Sequence, residues 1–300
     1  MKLQKQHLAD LEYLTAITSL LHRIRREDRS AGLYEAADLQ WWWREDEFSN
    51  PRMQTFWLDE ADDFVASLLL YDEGERWICD FFRLPSFEAR IASEVLPDVL
   101  EIISNLPNWS SMLLKSSIVT VRDDDVLFRE SLEKRGWQES GESTIQTILE
   151  IEPTQPSQLP EGFYFKRRAE ATGLRHPMTV AGRNPINVES RLAQCSLYRP
   201  GLDYAVFDPS NETAAYALFW IDPETKVGLI EPLRTVKKFQ RMGIGRAIVH
   251  EGIRRLREEG ANEIKVSYKA DNEPARRLYH SCGFRDAFRK IEYRLHLGSG

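Results

Sequence analysis

The sequence predicts a mixed α+β chain built as two tandem copies of one fold. Three observations carry this. A stretch with three prolines and a glycine, Glu152–Gly162, interrupts the chain close to its midpoint. Such a run cannot continue a helix or a central strand, and it reads as a stiff linker. The charge changes sign there: residues 1–150 carry a net of −13 and residues 151–300 a net of +6, against −7 for the 300-residue chain. Both sides also end in one local pattern of helix, glycine, aromatic and strand. It is seen at Leu132-Glu133-Lys134-Arg135-Gly136-Trp137 and at Tyr279-His280-Ser281-Cys282-Gly283-Phe284, a weak internal repeat.

The elements follow in order. Leu8, Leu11, Leu14, Ile17, Leu20 and Leu21 recur at three- and four-residue spacing and predict an opening helix. Strands are expected over Asp63–Tyr71 and Arg76–Leu84, joined by the hairpin loop 72–75. A helix is expected over Ser86–Ser104, a strand over Met112–Val121, a helix over Val126–Arg135 closed by Gly136, and a strand over Ser143–Ile151. The second half opens with a strand at Phe163–Arg167 and a helical, loop-rich stretch to Leu197. Tyr204–Phe207 and Ala214–Ile221 read as paired strands around Asp208-Pro209-Ser210-Asn211, followed by a strand at Val227–Val236. A helix over Gly245–Glu259, a strand over Glu263–Tyr268, a helix over Pro274–Ser281 and a strand over Ala287–Leu295 complete the chain.

Composition excludes several classes. With 42% hydrophobic and 11% aromatic residues the chain can build cores, so wholesale disorder is not expected. No apolar run approaches the roughly 18 residues of a membrane span. Met1–His7 leads into no apolar segment, so no secretory leader is expected. Cys79, Cys195 and Cys282 are far apart and lack metal spacing. They read as free thiols of a reducing, cytoplasmic compartment. The acidic total argues against a nucleic-acid partner, and the six histidines suggest no ligand set, so no metal is expected. Asp123-Asp124-Asp125 reads as a loop and helix cap rather than a metal site.

The informative segment is Glu231 to Ile248: a strand, a short basic loop, then Gln240-Arg241-Met242-Gly243-Ile244-Gly245-Arg246 opening a helix. The first turn of a helix offers unpaired N–H groups and a positive dipole end. Glycines permit close backbone approach and positive φ. Arg241 and Arg246 add charge, and Lys237 and Lys238 extend it. Together they make a diphosphate cradle. A nucleotide P-loop would need Gly-Lys-Ser/Thr where Arg246-Ala247 follows Gly245, and a dinucleotide fold would need a third glycine where Ile248 stands.

Downstream stands Asp271-Asn272-Glu273-Pro274-Ala275-Arg276-Arg277-Leu278-Tyr279, leading to Gly283-Phe284. Together the two runs resemble the GNAT superfamily of acyl-CoA-dependent N-acyltransferases. Gln240–Ala247 is similar to its pyrophosphate loop and Asn272–Phe284 to its Asn…Ala-x-x-Leu-Tyr…Gly-Phe segment. The resemblance covers roughly Phe163–Leu295 and implies a mostly antiparallel mixed sheet flanked by helices. It also implies acetyl-CoA as cosubstrate and acetyl transfer to a primary amine. Backbone groups of Gln240, Arg241, Met242, Gly243, Ile244, Gly245 and Arg246 would hold the diphosphate. The backbone of Leu233, Arg234 and Thr235 would pair with the pantetheine arm. That arm would enter a gap where Val227–Val236 splays from Glu263–Tyr268, and Pro232, lacking an N–H, is consistent with it. Asn272 would hydrogen-bond the arm or its loop. Tyr279 would protonate the leaving thiolate, its pKa of about 10 being close to a thiol's. Strand alternation puts Leu229, Glu231, Leu233 and Thr235 on one face, so Glu231 becomes the candidate base. A structural carboxylate is its alternative reading.

The expected organisation is a degenerate GNAT-like copy over 1–151, a linker over 152–162 and a catalytic domain over 163–297. Residues 83–121 contain no glycine, so the first copy is expected to bind no coenzyme. Trp41-Trp42-Trp43 would pack in a core or interface, or line an acceptor pocket. Cys282 would pack beside Tyr279. The acidic half is compatible with a cationic acceptor. No membrane partner is expected, and the chain would be a monomer or homodimer. The alternative function is a non-catalytic acyl-CoA sensor with an acidic, Trp-rich partner-binding module.

Overall fold

The structure, a computed structural model, describes residues 2–42, 54–72, 76–106, 116–150, 158–170, 173, 175–180 and 187–296. The hairpin loop 73–75, the strand start 112–115, linker residues 152–157 and Trp43 lie outside the described residues. The elements are β1 (Gln4–His7), α1 (Asp10–Glu27), α2 (Ala36–Trp42), β2 (Gln54–Leu58), β3 (Phe64–Asp72) and β4 (Arg76–Arg83). Then come α3 (Glu88–Arg90), α4 (Leu96–Ser104), β5 (Ser116–Arg122), α5 (Val126–Glu133) and β6 (Gln138–Glu150). The second half holds β7 (Tyr164–Arg167), α6 (Pro177–Val180), α7 (Val188–Gln194), β8 (Asp203–Phe207), β9 (Thr213–Ile221) and β10 (Val227–Thr235). It ends with α8 (Ile244–Glu258), β11 (Glu263–Lys269), α9 (Glu273–Ser281) and β12 (Arg285–His296). β1 and β2 are additions to the expected set: β1 is exposed throughout and β2 buried throughout, so neither shows alternation.

The chain forms two compact units that are interleaved in sequence rather than split at 152–162. Unit 1 comprises residues 1–36, 45–144 and 288–300; unit 2 comprises residues 37–44 and 145–287. The midpoint division fails because the last strand finds its hydrogen-bond partner in unit 1: Lys290 to His296 pair antiparallel with Arg122 to Ser116 of β5. Residues 145–150 of β6 lie in unit 2, where the Thr147 hydroxyl donates to the Val266 carbonyl of β11 at 2.8 Å.

In unit 1, α1 lays Leu14, Ile17, Leu20, Leu21 and Ile24 on one buried face, at helical spacing. β1 to β4 form an antiparallel series and β5 runs parallel to β4. In unit 2 the strand order is β11-β10-β9-β8-β7. Every residue of β9 is buried, because helices cover both of its faces. Ala215, Ala217, Phe219 and Ile221 meet Ile248, Ile253 and Leu256 of α8. Tyr216, Leu218 and Trp220 meet Trp41, Met178 and Leu192 on the other side. Trp41 is therefore a core residue of unit 2.

The internal repeat is a repeat of hydrogen bonds. Asp125 caps α5 by accepting from the Phe128 N–H at 3.2 Å, and Asn272 caps α9 by accepting from the Ala275 N–H at 3.2 Å. Gly136 (φ 83°) and Gly283 (φ 92°) end the two helices. The following Trp137 and Phe284 N–H groups reach back to the carbonyls of Leu132 (3.2 Å) and Tyr279 (3.1 Å), the Schellman closure. Among the described residues no helix is long and apolar enough to cross a membrane.

Candidate functional site

In unit 2 the parallel ladder between β10 and β11 holds for Val227, Gly228 and Leu229 against Glu263, Ile264 and Lys265, and then stops. β10 continues to Thr235, still paired to β9 through Leu233, Arg234 and Thr235. Among the described residues, no strand pairs with the other edge of those three residues. This is the expected splay, with an open backbone edge on one side of a gap.

Its cause is a bulge. Ile230 stands opposite Phe219 and Leu233 opposite Ala217, so three steps on β10 match two on β9. Pro232 supplies no N–H at the irregularity. The indole of Trp220 donates Nε1–H to the Glu231 carbonyl at 2.6 Å and fastens the bulge from the β9 side. The extra residue also breaks the alternation expected from the sequence. Leu229 packs with Trp41 and Trp220, whereas Ile230 and Leu233 both pack with the α8 side. Leu229, Glu231, Leu233 and Thr235 therefore do not share one face, and Glu231 loses that argument for its placement. Its side chain is half-buried.

After β10 a short turn, Lys237–Phe239, leads into the loop. Arg241 (φ 63°) and Gly243 (φ 81°) are both left-handed, which turns successive N–H groups toward one side, as in anion-binding nests. α8 begins at Ile244 with no side-chain cap, so its first N–H groups are not taken by a neighbouring side chain. The two glycines have different work. Around Gly243 there is open space, and its φ is what demands glycine. Gly245 is helical, and a Cβ there would stand 3.2 Å from Thr235 Oγ1 and 3.6 Å from Leu278. It lets β10, α8 and α9 close on one another. Gln240 braces the loop by donating Nε2–H to the Thr235 carbonyl at 3.2 Å. Met242 is exposed at the loop tip. Lys238 is paired with Glu212. Arg234, Lys237, Arg241 and Arg246 form no ion pair among the described residues. A diphosphate would meet these cations.

Tyr279 projects from α9 into the core at 6% exposure, its ring against Tyr268 (6.2 Å) and edge-on to Phe284 (5.8 Å). Asn272 stands at the start of the same helix, where its side-chain oxygen is engaged as the cap; its amide N–H groups are the part suited to a ligand. Beside them Tyr268 donates to Asp286 at 2.9 Å, and burial first, then Asp286, pushes its hydroxyl up to about 12. Burial pushes the Cys282 thiol up to about 11, as befits a packed side chain rather than a nucleophile. The bulge clamp Trp220 and the left-handed Arg241 were not expected. The isolation of Trp220 as the one Trp of the second half was the only trace of the former.

Unit 1 carries the same split strands without the cradle. The β4–β5 ladder ends at Cys79 against Val119, and a pocket of about 700 Å³ opens between Phe81–Arg83 and Thr120–Arg122. At its helix entry the Glu27 carboxylate accepts the Ser86 N–H (2.8 Å) and hydroxyl (2.7 Å). Arg83 on β4 pairs with the cap Asp125 at 2.7 Å, across the place an arm would take. Among the described residues no group of three His, Cys, Asp or Glu is arranged to hold a metal ion.

Residues 174–284 match the family described as Acetyltransferase (GNAT) family. A mycothiol acetyltransferase of Clavibacter sepedonicus is 40% identical over 52 residues, which span 17% of this chain and 17% of that protein. Among solved structures, a GCN5-related N-acetyltransferase from Sphaerobacter thermophilus superposes with a TM-score of 0.66 at 15% identity, over 99% of this chain and 96% of that one. A tandem GNAT protein from the clavulanic acid biosynthesis pathway gives 0.62 at 14% identity, over 100% of both chains. At such identities the superpositions establish the fold alone. The split strands and the uncapped helix behind Gly243 lie within or beside the segment, residues 174–284, that matches the GNAT family, and the chain as a whole has the fold of the tandem GNAT protein.

Proposed function

We propose that the protein transfers an acetyl group from acetyl-CoA to a primary amine of a small molecule or peptide, by direct attack in a ternary complex. One observation carries this reading. Unit 2 combines a strand edge at Leu233–Thr235 left open by the described residues with an uncapped helix start at Ile244, and Arg241 and Arg246 flank the latter without ion pairs among the described residues.

The first-turn N–H groups of α8 and the loop Arg241–Gly243 hold the diphosphate. Leu233, Arg234 and Thr235 pair with the amides of the pantetheine arm, and Asn272 donates to that arm. The amine nitrogen attacks the thioester carbonyl, a C–N bond forms and the C–S bond breaks. Glu231, directly or through a water, takes the ammonium proton, and Tyr279 returns a proton to the thiolate. Glu27 and the Arg83–Asp125 pair support a first copy that binds no coenzyme, since a carboxylate already stands where a diphosphate would go. The net of −13 on residues 1–150 favours cationic acceptors by long-range attraction.

The test is thiol release from acetyl-CoA across a panel of amines. Tyr279→Phe is expected to lower turnover more than about tenfold with coenzyme binding intact. Gly243→Glu is expected to abolish coenzyme binding. Binding without turnover on every amine would replace this reading by the sensor, and unchanged turnover in Tyr279→Phe would remove the proton donor.

A further inference from the structure

At the far edge of unit 2, separated from the coenzyme gap by β9, a hollow of about 290 Å³ opens beside β7 and β8. Its floor is apolar: Ala205 and Phe207 of β8, with Pro177 and Val180 of α6 above them. Ala205 belongs to the buried cluster of Met178, Tyr216 and Leu218, so the hollow is the open end of a packed core. Its rim is basic, formed by Lys166, Arg167, Arg168 and Arg175. The register fixes one of these on the floor's own face, because Lys166 stands directly opposite Ala205.

The charges are not balanced from within. Arg167 pairs with Glu170, and Arg168 with Glu189 at 3.3 Å. Lys166 and Arg175 form no ion pair among the described residues. The two carboxylates of the lining are already engaged. Asp203, 2% exposed, accepts from His176 Nε2 and from the Tyr198 hydroxyl, both at 2.8 Å. The His176 tautomer follows from its other nitrogen, which accepts the Met178 N–H at 3.1 Å. Glu212 is held by Lys238. Two cations thus line an apolar hollow with no anion paired to them among the described residues.

We infer that this hollow is a binding site for a small amphipathic carboxylate, a compact apolar body of about ten non-hydrogen atoms ending in one anionic group. The apolar part displaces water from Ala205, Phe207, Pro177 and Val180. The carboxylate sits between the Lys166 ammonium and the Arg175 guanidinium, whose planar fork suits it. A cationic ligand is repelled by the rim. The site is separate from the acetyl-transfer chemistry and stands independently of the function proposed above.

The experiment is calorimetric titration of the full chain with octanoate at low ionic strength, in parallel with octanol and octylamine. Saturable one-to-one binding of octanoate tighter than about 1 mM is expected, with octanol at least tenfold weaker and octylamine silent. The double substitution Lys166→Gln/Arg175→Gln, at one half-buried and one exposed position outside the core clusters, is expected to weaken octanoate at least tenfold with an unchanged melting temperature. Coenzyme A at saturation is expected to leave octanoate binding unchanged. Absence of saturable binding, equal affinity in the double variant, or displacement by coenzyme A would each overturn the assignment.

Discussion

Replacing Gly252 by alanine sets two magnitudes against each other. On propensity alone alanine gains about 0.8–1.0 kcal/mol in a helix interior. Packing opposes it. A Cβ at 252 would run into the ring of Phe219, and even the farthest of the three ring carbons it meets is 2.5 Å away. Comfortable carbon contacts lie at about 3.5–4.0 Å, so the ring or the helix must retreat by more than about 1 Å. Phe219 has nowhere to go: it is 2% exposed, on a strand with every residue buried, and lies edge-on to Tyr204 at 6.1 Å. Overpacking costs about 1–3 kcal/mol, and a displacement this large belongs at the upper end. The net expectation is a loss of about 2 kcal/mol, read as a lower urea midpoint with unchanged m-value. The N-terminal turn of α8 is also the proposed diphosphate cradle, so acetyl-CoA affinity should fall with the midpoint. A midpoint equal to or above wild type would show that α8 can stand off from β9, and the close-approach argument would be wrong.

Three further outcomes follow from single contacts. Trp220→Phe keeps the ring but leaves the Glu231 carbonyl without its 2.6 Å donor. It should cost about 1–3 kcal/mol and lower kcat/KM for acetyl-CoA, and unchanged kinetics would show that the indole does not hold the bulge. Asp125→Ala and Asn272→Ala remove matching caps; each should cost about 1 kcal/mol, and a large inequality in denaturant midpoints would break the equivalence of the two helices. Burial raises the Asp80 carboxyl to about 7, partly offset by Lys290 and a Tyr34 hydrogen bond, against about 3.9 in an unfolded chain. The folded state therefore keeps a proton that the unfolded state has lost, and this contribution to stability declines as pH rises from about 4 to about 7. Asp80→Asn lacks the slope, so the wild-type advantage should shrink by up to about 1.4 kcal/mol per pH unit across that window. A difference flat in pH would refute the shift.

Much of the fold was legible because local patterns agree with it. The periodicity of α1, the caps of α5 and α9, and the glycines that end them are short-range signals, and each appears where expected. The loop from Gln240 to Arg246 was legible for the same reason. What escaped has long-range causes. The bulge at Glu231–Pro232 shifts the parity of β10 by one residue, and no window of sequence announces which partner residue it skips. Arg241 takes a left-handed conformation usually left to glycine, so the Gly-x-Gly pattern pointed to Gly245 instead. The partition of the chain escaped too, because the proline stretch marks a break in the backbone and not a break in strand pairing.

That partition has a consequence for how the protein can be made. Unit 1 needs residues 288–296 to cover the edge of β5, and a ribosome produces them only after residues 145–287 of unit 2. At roughly 5–20 residues per second, the first unit waits on the order of ten seconds with that edge open while unit 2 emerges. Unit 1 therefore cannot complete its sheet before unit 2 has been synthesised. A gene cut at the proline stretch would yield two fragments, the first missing its final strand and the second missing residues 145–150 beside β11. Each would expose an unpaired edge of the kind that invites aggregation.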